Sequence, residues 1–301
     1  MVARSTGLRG TPMKQCPQRQ RSARQGWLLI LPLLLGCLVF YGAPFFQVLL
    51  RTFQNGISRH FVGWSNYQYM LQSSAFRLAF GNTMKFLLVS IPLMLVLAFA
   101  VALLLRTQAK KHELLKSVLL LPYIMPVVGT VVVVQLLFAQ QGWVNQAFYT
   151  LGLPIADWLH SRHAFWVMVV LYLWKNLGYA VILLLSGLAT IPQEQYAVAD
   201  LDGATAWQKI RCITIPQMWY SLFFTTVFSL INAFKCFREI FLIGGTHPDN
   251  SVYMLQHFIN NSFDRLHYPH LAVASVLLLV TVGVVFALLY RWVVRKEAYK
   301  E

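Results

Sequence analysis

An all-α integral membrane fold with about six transmembrane helices is predicted by two observations. First, 57% of the 301 residues are hydrophobic and only 12% are charged, about half the charged share of an ordinary soluble domain. Second, the apolar residues gather into runs of roughly twenty between charged flanks, which is the length of a membrane span. In lipid only helices and closed barrels satisfy every backbone polar group. The ten-residue alternation of a barrel strand is absent and long uninterrupted runs are present, which selects helices.

Six runs qualify. The first covers 27–50, uncharged between Arg24 and Arg51, and the second covers 86–105, between Lys85 and Arg106. The third runs over 117–139 and carries Pro122 and Pro126, which predict a kinked helix with a loosened hydrogen-bond ladder. The fourth, 164–188, is interrupted by Lys175, and the fifth, 218–243, by Lys235, Arg238 and Glu239 near its far end. The sixth is 271–290. Between the first two lies the longest connection, whose Phe61, Trp64 and Tyr67 suit a membrane interface.

Lysine and arginine set the orientation. Arg4, Arg9, Lys14, Arg19, Arg21 and Arg24 precede the first span. Arg106, Lys110, Lys111 and Lys116 lie between the second and third. Lys209 and Arg211 lie between the fourth and fifth, and Arg291, Arg295, Lys296 and Lys300 follow the sixth. The other side holds only Arg51, Arg59, Arg77, Arg162 and Arg265. Both termini are therefore expected in the cytoplasm of a bacterial-type cell membrane, with the basic tail against anionic lipid heads. The formal net charge of +15 follows from this arrangement and not from a nucleic-acid partner. The first run is too long for a signal-peptide core, and Pro44 after Gly42-Ala43 disfavours cleavage, so it reads as an uncleaved span. Cys16, Cys37, Cys212 and Cys236 have no paired spacing. Cys37 and Cys236 read as small packed residues, and His160 with His163 is too small a set for a metal site.

The connection between the fourth and fifth spans reads Ile191-Pro-Gln-Glu-Gln-Tyr196-Ala-Val-Ala-Asp200-Leu-Asp-Gly203-Ala-Thr-Ala-Trp207-Gln-Lys-Ile210-Arg-Cys-Ile-Thr-Ile215-Pro216. Pro192 suits the first turn of a helix, and Thr190 with Gln193 has capping-box spacing. Asp202-Gly203 is a turn signal, with Gly203 free to take positive φ. A second helix is expected over 204–211. Tyr196, Ala197, Leu201, Ala204, Trp207 and Ile210 give this helix–turn–helix more apolar surface than a solvated loop carries, which points to a partner or to packing on the bundle.

This segment resembles the loop through which the permeases of binding-protein-dependent ABC importers meet their ATPases. Ile191, Pro192, Tyr196, Ala199, Asp202, Gly203, Ala204, Trp207, Ile213, Thr214 and Pro216 follow the family pattern. Ala197 stands where the family has an acid, so one ionic contact to the ATPase is expected to be missing, and Asp200, one turn on, is the candidate substitute. Phe80 to Thr83, Leu120 to Pro126, Trp174 to Gly178, and Phe234 to Glu239 with Gly244-Gly245 extend the resemblance along the chain, closest to the sugar and glycerol-phosphate uptake branch. The resemblance implies a type-1 importer transmembrane domain over 78–291, with the docking loop at 191–216. Residues 1–77 hold the tail, first helix and external connection, and 292–301 form a C-terminal tail. It implies a transport subunit with no catalytic residues. The expected partners are an ABC ATPase dimer, a second homologous permease, an extracytoplasmic solute-binding protein and the lipid bilayer. The chain has no Gly-Lys dipeptide and hence no phosphate-binding loop, so ATP and magnesium belong to the partner ATPase. The coupling residues implied are Tyr196, Ala197, Ala199, Asp200, Leu201, Asp202, Gly203 and Ala204.

Charges inside a span are costly. Lys175, Asn176, Asn232, Lys235, Arg238 and Glu239 are therefore candidates for the solute path, or for ion pairs between helices. Lys235 and Glu239 have the i, i+4 spacing of a helical pair, and Trp174 and Phe234 are aromatics able to stack on a sugar or to pack the core. Two other readings remain open: an ABC permease for a non-sugar solute, and a secondary transporter, for which Glu239 alone is thin support. A membrane enzyme finds no motif.

Overall fold

The computed structural model describes residues 18–56, 58–106 and 113–297 and divides the chain into two compact units, Met1–Arg51 and Thr52–Glu301. Cys16 and the cations Arg4, Arg9, Lys14, Lys110, Lys111 and Lys300 lie outside the described residues. Among the described residues the regular secondary structure is helical, apart from one isolated bridge between Gln54 and Phe61.

In the first unit, α1 (Gln18–Cys37) passes through a π-helical turn, Leu38–Gly42, into α2 (Ala43–Arg51). Pro44 supplies no N–H and its ring crowds the carbonyl one turn back; widening the turn there relieves the clash. Cys37, expected to be packed, is exposed.

The second unit begins with α3 (Ser65–Gln72) and α4 (Ser74–Arg106). Then come α5 (Glu113–Ile124), α6 (Val127–Phe138), α7 (Trp143–Thr150) and α8 (Ala164–Ala189). The loop elements α9 (Gln193–Leu201), α10 (Ala206–Lys209) and α11 (Ile215–Gln217) lead to α12 (Trp219–Lys235), α13 (Phe237–Gly244), α14 (Leu255–Asp264) and α15 (Tyr268–Glu297). Five stretches are long and apolar enough to cross a membrane: Gly26–Arg51, Ser74–Arg106, Val127–Thr150, Ala164–Ala189 and Tyr268–Arg291.

Two spans differ from expectation. The third is not one kinked helix. Pro126 takes extended backbone and caps α6, so the run breaks at Met125-Pro126 into α5 and α6, and its apolar character continues to Thr150. Pro122 is tolerated inside α5. The fifth breaks at Cys236: α12 alone has 17 residues, about 25 Å of helix against a hydrocarbon core of about 30 Å, and α13 continues it.

The core lies where α4, α8 and α12 pack. Met94, Ala98 and Ala102 on one face of α4 are fully buried with Val181 and Leu184 of α8, while Leu88, Val96 and Leu104 face outward. An apolar helix with both an inward and a lipid-facing side is what a membrane bundle requires. Phe86 meets Tyr172 edge-on at 5.5 Å, and the Tyr172 hydroxyl, with no water to serve it, donates to the Ser229 carbonyl at 2.8 Å. Gly178 lets α8 touch α5: a Cβ there would stand 1.8 Å from the Leu119 carbonyl oxygen, the small-residue contact that membrane helices favour.

At the other end of α4, the motif Asn82-Thr83 clamps the segment before α14. Asn82 Nδ2 donates to the carbonyls of Asn250 (2.6 Å) and Tyr253 (3.0 Å), and Thr83 Oγ1 accepts the Leu255 N–H at 2.9 Å. The connection ahead of α3 is likewise held by its own side chains. Asn66 Nδ2 donates to the Thr52 and Gln54 carbonyls, and Phe53 packs against Trp64 and Tyr67. Trp64 and Tyr67, expected from sequence to suit a membrane interface, pack on each other with ring centroids 5.1 Å apart.

Candidate functional site: a helix–turn–helix loop and a polar cavity

The loop is the helix–turn–helix anticipated, with its joints shifted. Pro192 caps α9, and the Thr190 hydroxyl turns back to the Gly187 carbonyl at 2.8 Å, so Thr190 and Gln193 form no capping box. The box forms one helix later. The Thr205 N–H donates to Gln208 Oε1 at 2.7 Å and the Gln208 N–H to Thr205 Oγ1 at 3.4 Å, so the second helix starts at Ala206 and not Ala204. Between the helices Gly203 has φ +74°. This left-handed turn lets the Ala204 N–H reach the Ala199 carbonyl at 2.9 Å, closing the end of α9. Beyond α10 a π-helical turn, Ile210–Thr214, again stands just ahead of a proline, Pro216 in α11.

The eight coupling candidates divide between two faces. Tyr196 turns inward: its hydroxyl meets Thr214 Oγ1 at 2.8 Å and its ring lies under Arg106, the last residue of α4, 3.9 Å from the guanidinium. It anchors the loop to the bundle and does not join Leu201 in an outer apolar surface, as the sequence suggested. Ala199 and Ala204 are half-buried, while Ala197, Asp202 and Gly203 are exposed. Leu201, 89% exposed, projects with Val198 and Trp207 from the outer face. Asp200 is engaged within the loop by Lys209 Nζ at 2.5 Å, so the acid nominated to replace the missing one at Ala197 already has a partner. Gln217 donates to Gln195, joining α11 to α9.

The six polar residues nominated inside the spans all line one cavity of about 240 Å³: Lys175 and Asn176 from α8, Asn232 and Lys235 from α12, Arg238 and Glu239 from α13. The break after Lys235 is what lets α12 and α13 present consecutive side chains to the same space. Glu239, buried, accepts from Lys175 across the helices, and not from Lys235 on its own strand of chain. Its other oxygen, Oε2, has no hydrogen-bond donor. Asn176 is held by its Nδ2 donating to the Tyr172 carbonyl at 2.8 Å.

Three participants escaped the sequence reading. Tyr123 and Val127 close the cavity from α5 and α6, and the Tyr123 ring stacks on Tyr179 at 4.8 Å. Trp174 and Phe234, which the sequence left open between stacking on a sugar and packing the core, do not line it, and Phe234 packs against the core. The signal for Tyr123 was its place between Pro122 and Pro126, where a broken helix exposes side chains. Arg106 was counted only as an orienting charge.

The chain resembles known proteins over most of its length. Residues 86–299 match the family described as binding-protein-dependent transport system inner membrane component. The trehalose/maltose transport system permease protein MalF of Thermococcus litoralis is 28% identical, over 88% of this chain and 92% of that protein. The diacetylchitobiose uptake system permease protein DasB of Streptomyces coelicolor is 31% identical, over 74% and 72%. Among solved structures, a bacterial ABC transporter involved in import of the acidic polysaccharide alginate superposes with a TM-score of 0.77 at 21% identity, covering 92% of this chain and 99% of that one; this likeness speaks for the fold.

Proposed function

This chain belongs to the family of binding-protein-dependent transport system inner membrane components, and from that premise we propose that it carries a sugar or related small polar solute, handed over by a solute-binding protein and driven by a separate ATPase. The chain is a multi-pass permease subunit of an ABC importer. Both termini lie in the cytoplasm on this reading, and a second, homologous permease completes the path. The sugar class is supported by relatives named for trehalose/maltose and diacetylchitobiose.

The observation that carries the solute path is the convergence of Lys175, Asn176, Asn232, Lys235, Arg238 and Glu239 on one cavity. Hydroxylated solutes need donors and acceptors to replace water inside a membrane, and a broken span backed by other helices can supply them. The loop supports the energy input. Its outer face, Val198, Leu201 and Trp207, offers apolar surface to an ATPase that holds ATP and magnesium, while Tyr196 on its inner face passes displacement to α4. With Ala197 uncharged and Asp200 paired to Lys209, apolar contact does more of the gripping than charge.

The test is coupled transport in vesicles holding this chain with its permease and ATPase partners. Solute-loaded binding protein is expected to stimulate ATP hydrolysis, and Gly203→Val, which forces a β-branched residue to positive φ, to abolish most of the stimulation while membrane insertion is unchanged. Normal coupling in that variant, or uptake without ATP, would count against the reading.

A further inference from the structure

The cavity's charge is unbalanced. Three cations, Lys175, Lys235 and Arg238, face one carboxylate, Glu239. Lys175 and Glu239 satisfy each other, and among the described residues Lys235 and Arg238 have no acidic partner. Lys235 and Arg238 are exposed and not buried, but both line a cavity set among apolar helices, whose low-dielectric walls concentrate their field on whatever enters and so favour an anion there. The same cavity holds an acceptor without a donor, Glu239 Oε2, and an aromatic side chain, Tyr123, in its lining.

We propose that the translocated solute is an anionic saccharide. Its carboxylate, sulfate or phosphate group sits between Lys235 and Arg238. A ring hydroxyl donates to Glu239 Oε2, and the sugar face lies against Tyr123. A neutral sugar would satisfy the carboxylate and the ring but leave both cations unpaired. A simple inorganic anion would satisfy the cations but leave Oε2 and the ring unused. Only a molecule that is both charged and hydroxylated answers all three features. This rests on the reading of the chain as a sugar permease.

The experiment expresses the complete importer in cells fed a mixed hydrolysate of neutral and acidic polysaccharides, and identifies by mass spectrometry the compound retained by the binding protein and taken up. An acidic saccharide is expected, its mass distinguishing uronate, sulfate and phosphate. A neutral saccharide overturns this inference and leaves the sugar permease standing; a compound that is no saccharide overturns both. Uptake of the identified compound is then compared in Lys235→Met and Arg238→Met. The loss of one charge-assisted contact is expected to raise KM on the order of tenfold, with ATPase and partner permease still co-purifying and Lys235→Arg restoring uptake. If either methionine variant instead loses the partner permease with KM unchanged in what remains, the cations serve a partner's carboxylate and the proposal fails.

Discussion

Arg106 ends α4 with its guanidinium 3.9 Å from the centre of the Tyr196 ring, so the first helix of the loop and the longest helix of the bundle meet at one cation–π contact. Such contacts contribute about 0.5–2 kcal/mol. Because α4 runs from this point to the Asn82-Thr83 clamp on the segment before α14, it spans both ends of the second unit. Arg106→Gln is expected to lower binding-protein-stimulated ATP hydrolysis several-fold with the basal rate retained. Tyr196→Phe, which keeps the ring and loses only the hydroxyl contact to Thr214, should fall between that variant and the parent. Equal stimulation in all three would remove α4 from the path of coupling.

Gly178 allows α8 a close approach to the backbone of α5. Replacing a helical glycine by alanine ordinarily gains up to about 1 kcal/mol, but here the added Cβ would stand 1.8 Å from the Leu119 carbonyl oxygen, backbone that cannot swing aside. Overpacking of this kind costs about 1–3 kcal/mol, so Gly178→Ala should lower the thermal midpoint in detergent and Gly178→Leu should lower it further. A midpoint unchanged or raised in Gly178→Ala would mean that α5 and α8 do not cross where described.

The helical membrane fold was legible because span length and charge flanks are properties of single segments. The loop was legible for a similar reason: Asp202-Gly203 marks its turn whatever lies around it. What sequence could not reveal were choices between competing partners. Glu239 had Lys235 one turn away on the same chain segment and took Lys175 instead, since the break at Cys236 removes the continuous helix on which i, i+4 pairing depends. Thr190 and Thr205 both stand three residues before a glutamine, but Thr190 is consumed by the Gly187 carbonyl that ends α8. Tyr196 looked like docking surface because apolar character does not say which face of a helix it lies on.

The Lys175–Glu239 pair joins α8 to α13 beside the cavity. Removing one partner of a buried pair leaves an uncompensated charge and costs about 3–5 kcal/mol, whereas replacing both with apolar groups is often neutral. Lys175→Met and Glu239→Leu are each expected to depress the detergent thermal midpoint strongly, and the double variant to recover much of it while transport stays low. Additive losses in the double variant would show that the two residues stabilise the bundle independently.

His257, in α14 outside the spanning helices, is expected to make the fold pH-sensitive. Its Nδ1 accepts the Met254 N–H at 3.1 Å, which leaves the proton on Nε2, and that atom has no acceptor. Phe237, Phe241 and Tyr253 surround the ring. Burial first, and His247 second, push its pKa down to about 4 from the ordinary 6.5. The unfolded chain therefore takes up this proton before the folded one, and stability falls as pH drops through the window from 6.5 to 4. The expected loss is roughly 2 kcal/mol by pH 5. Gln in place of His257 retains an acceptor for the Met254 N–H but does not titrate. Thermal midpoints at pH 7.5 and pH 5 should thus diverge more in the parent than in His257→Gln. The same drop in both proteins would assign the acid sensitivity to another group.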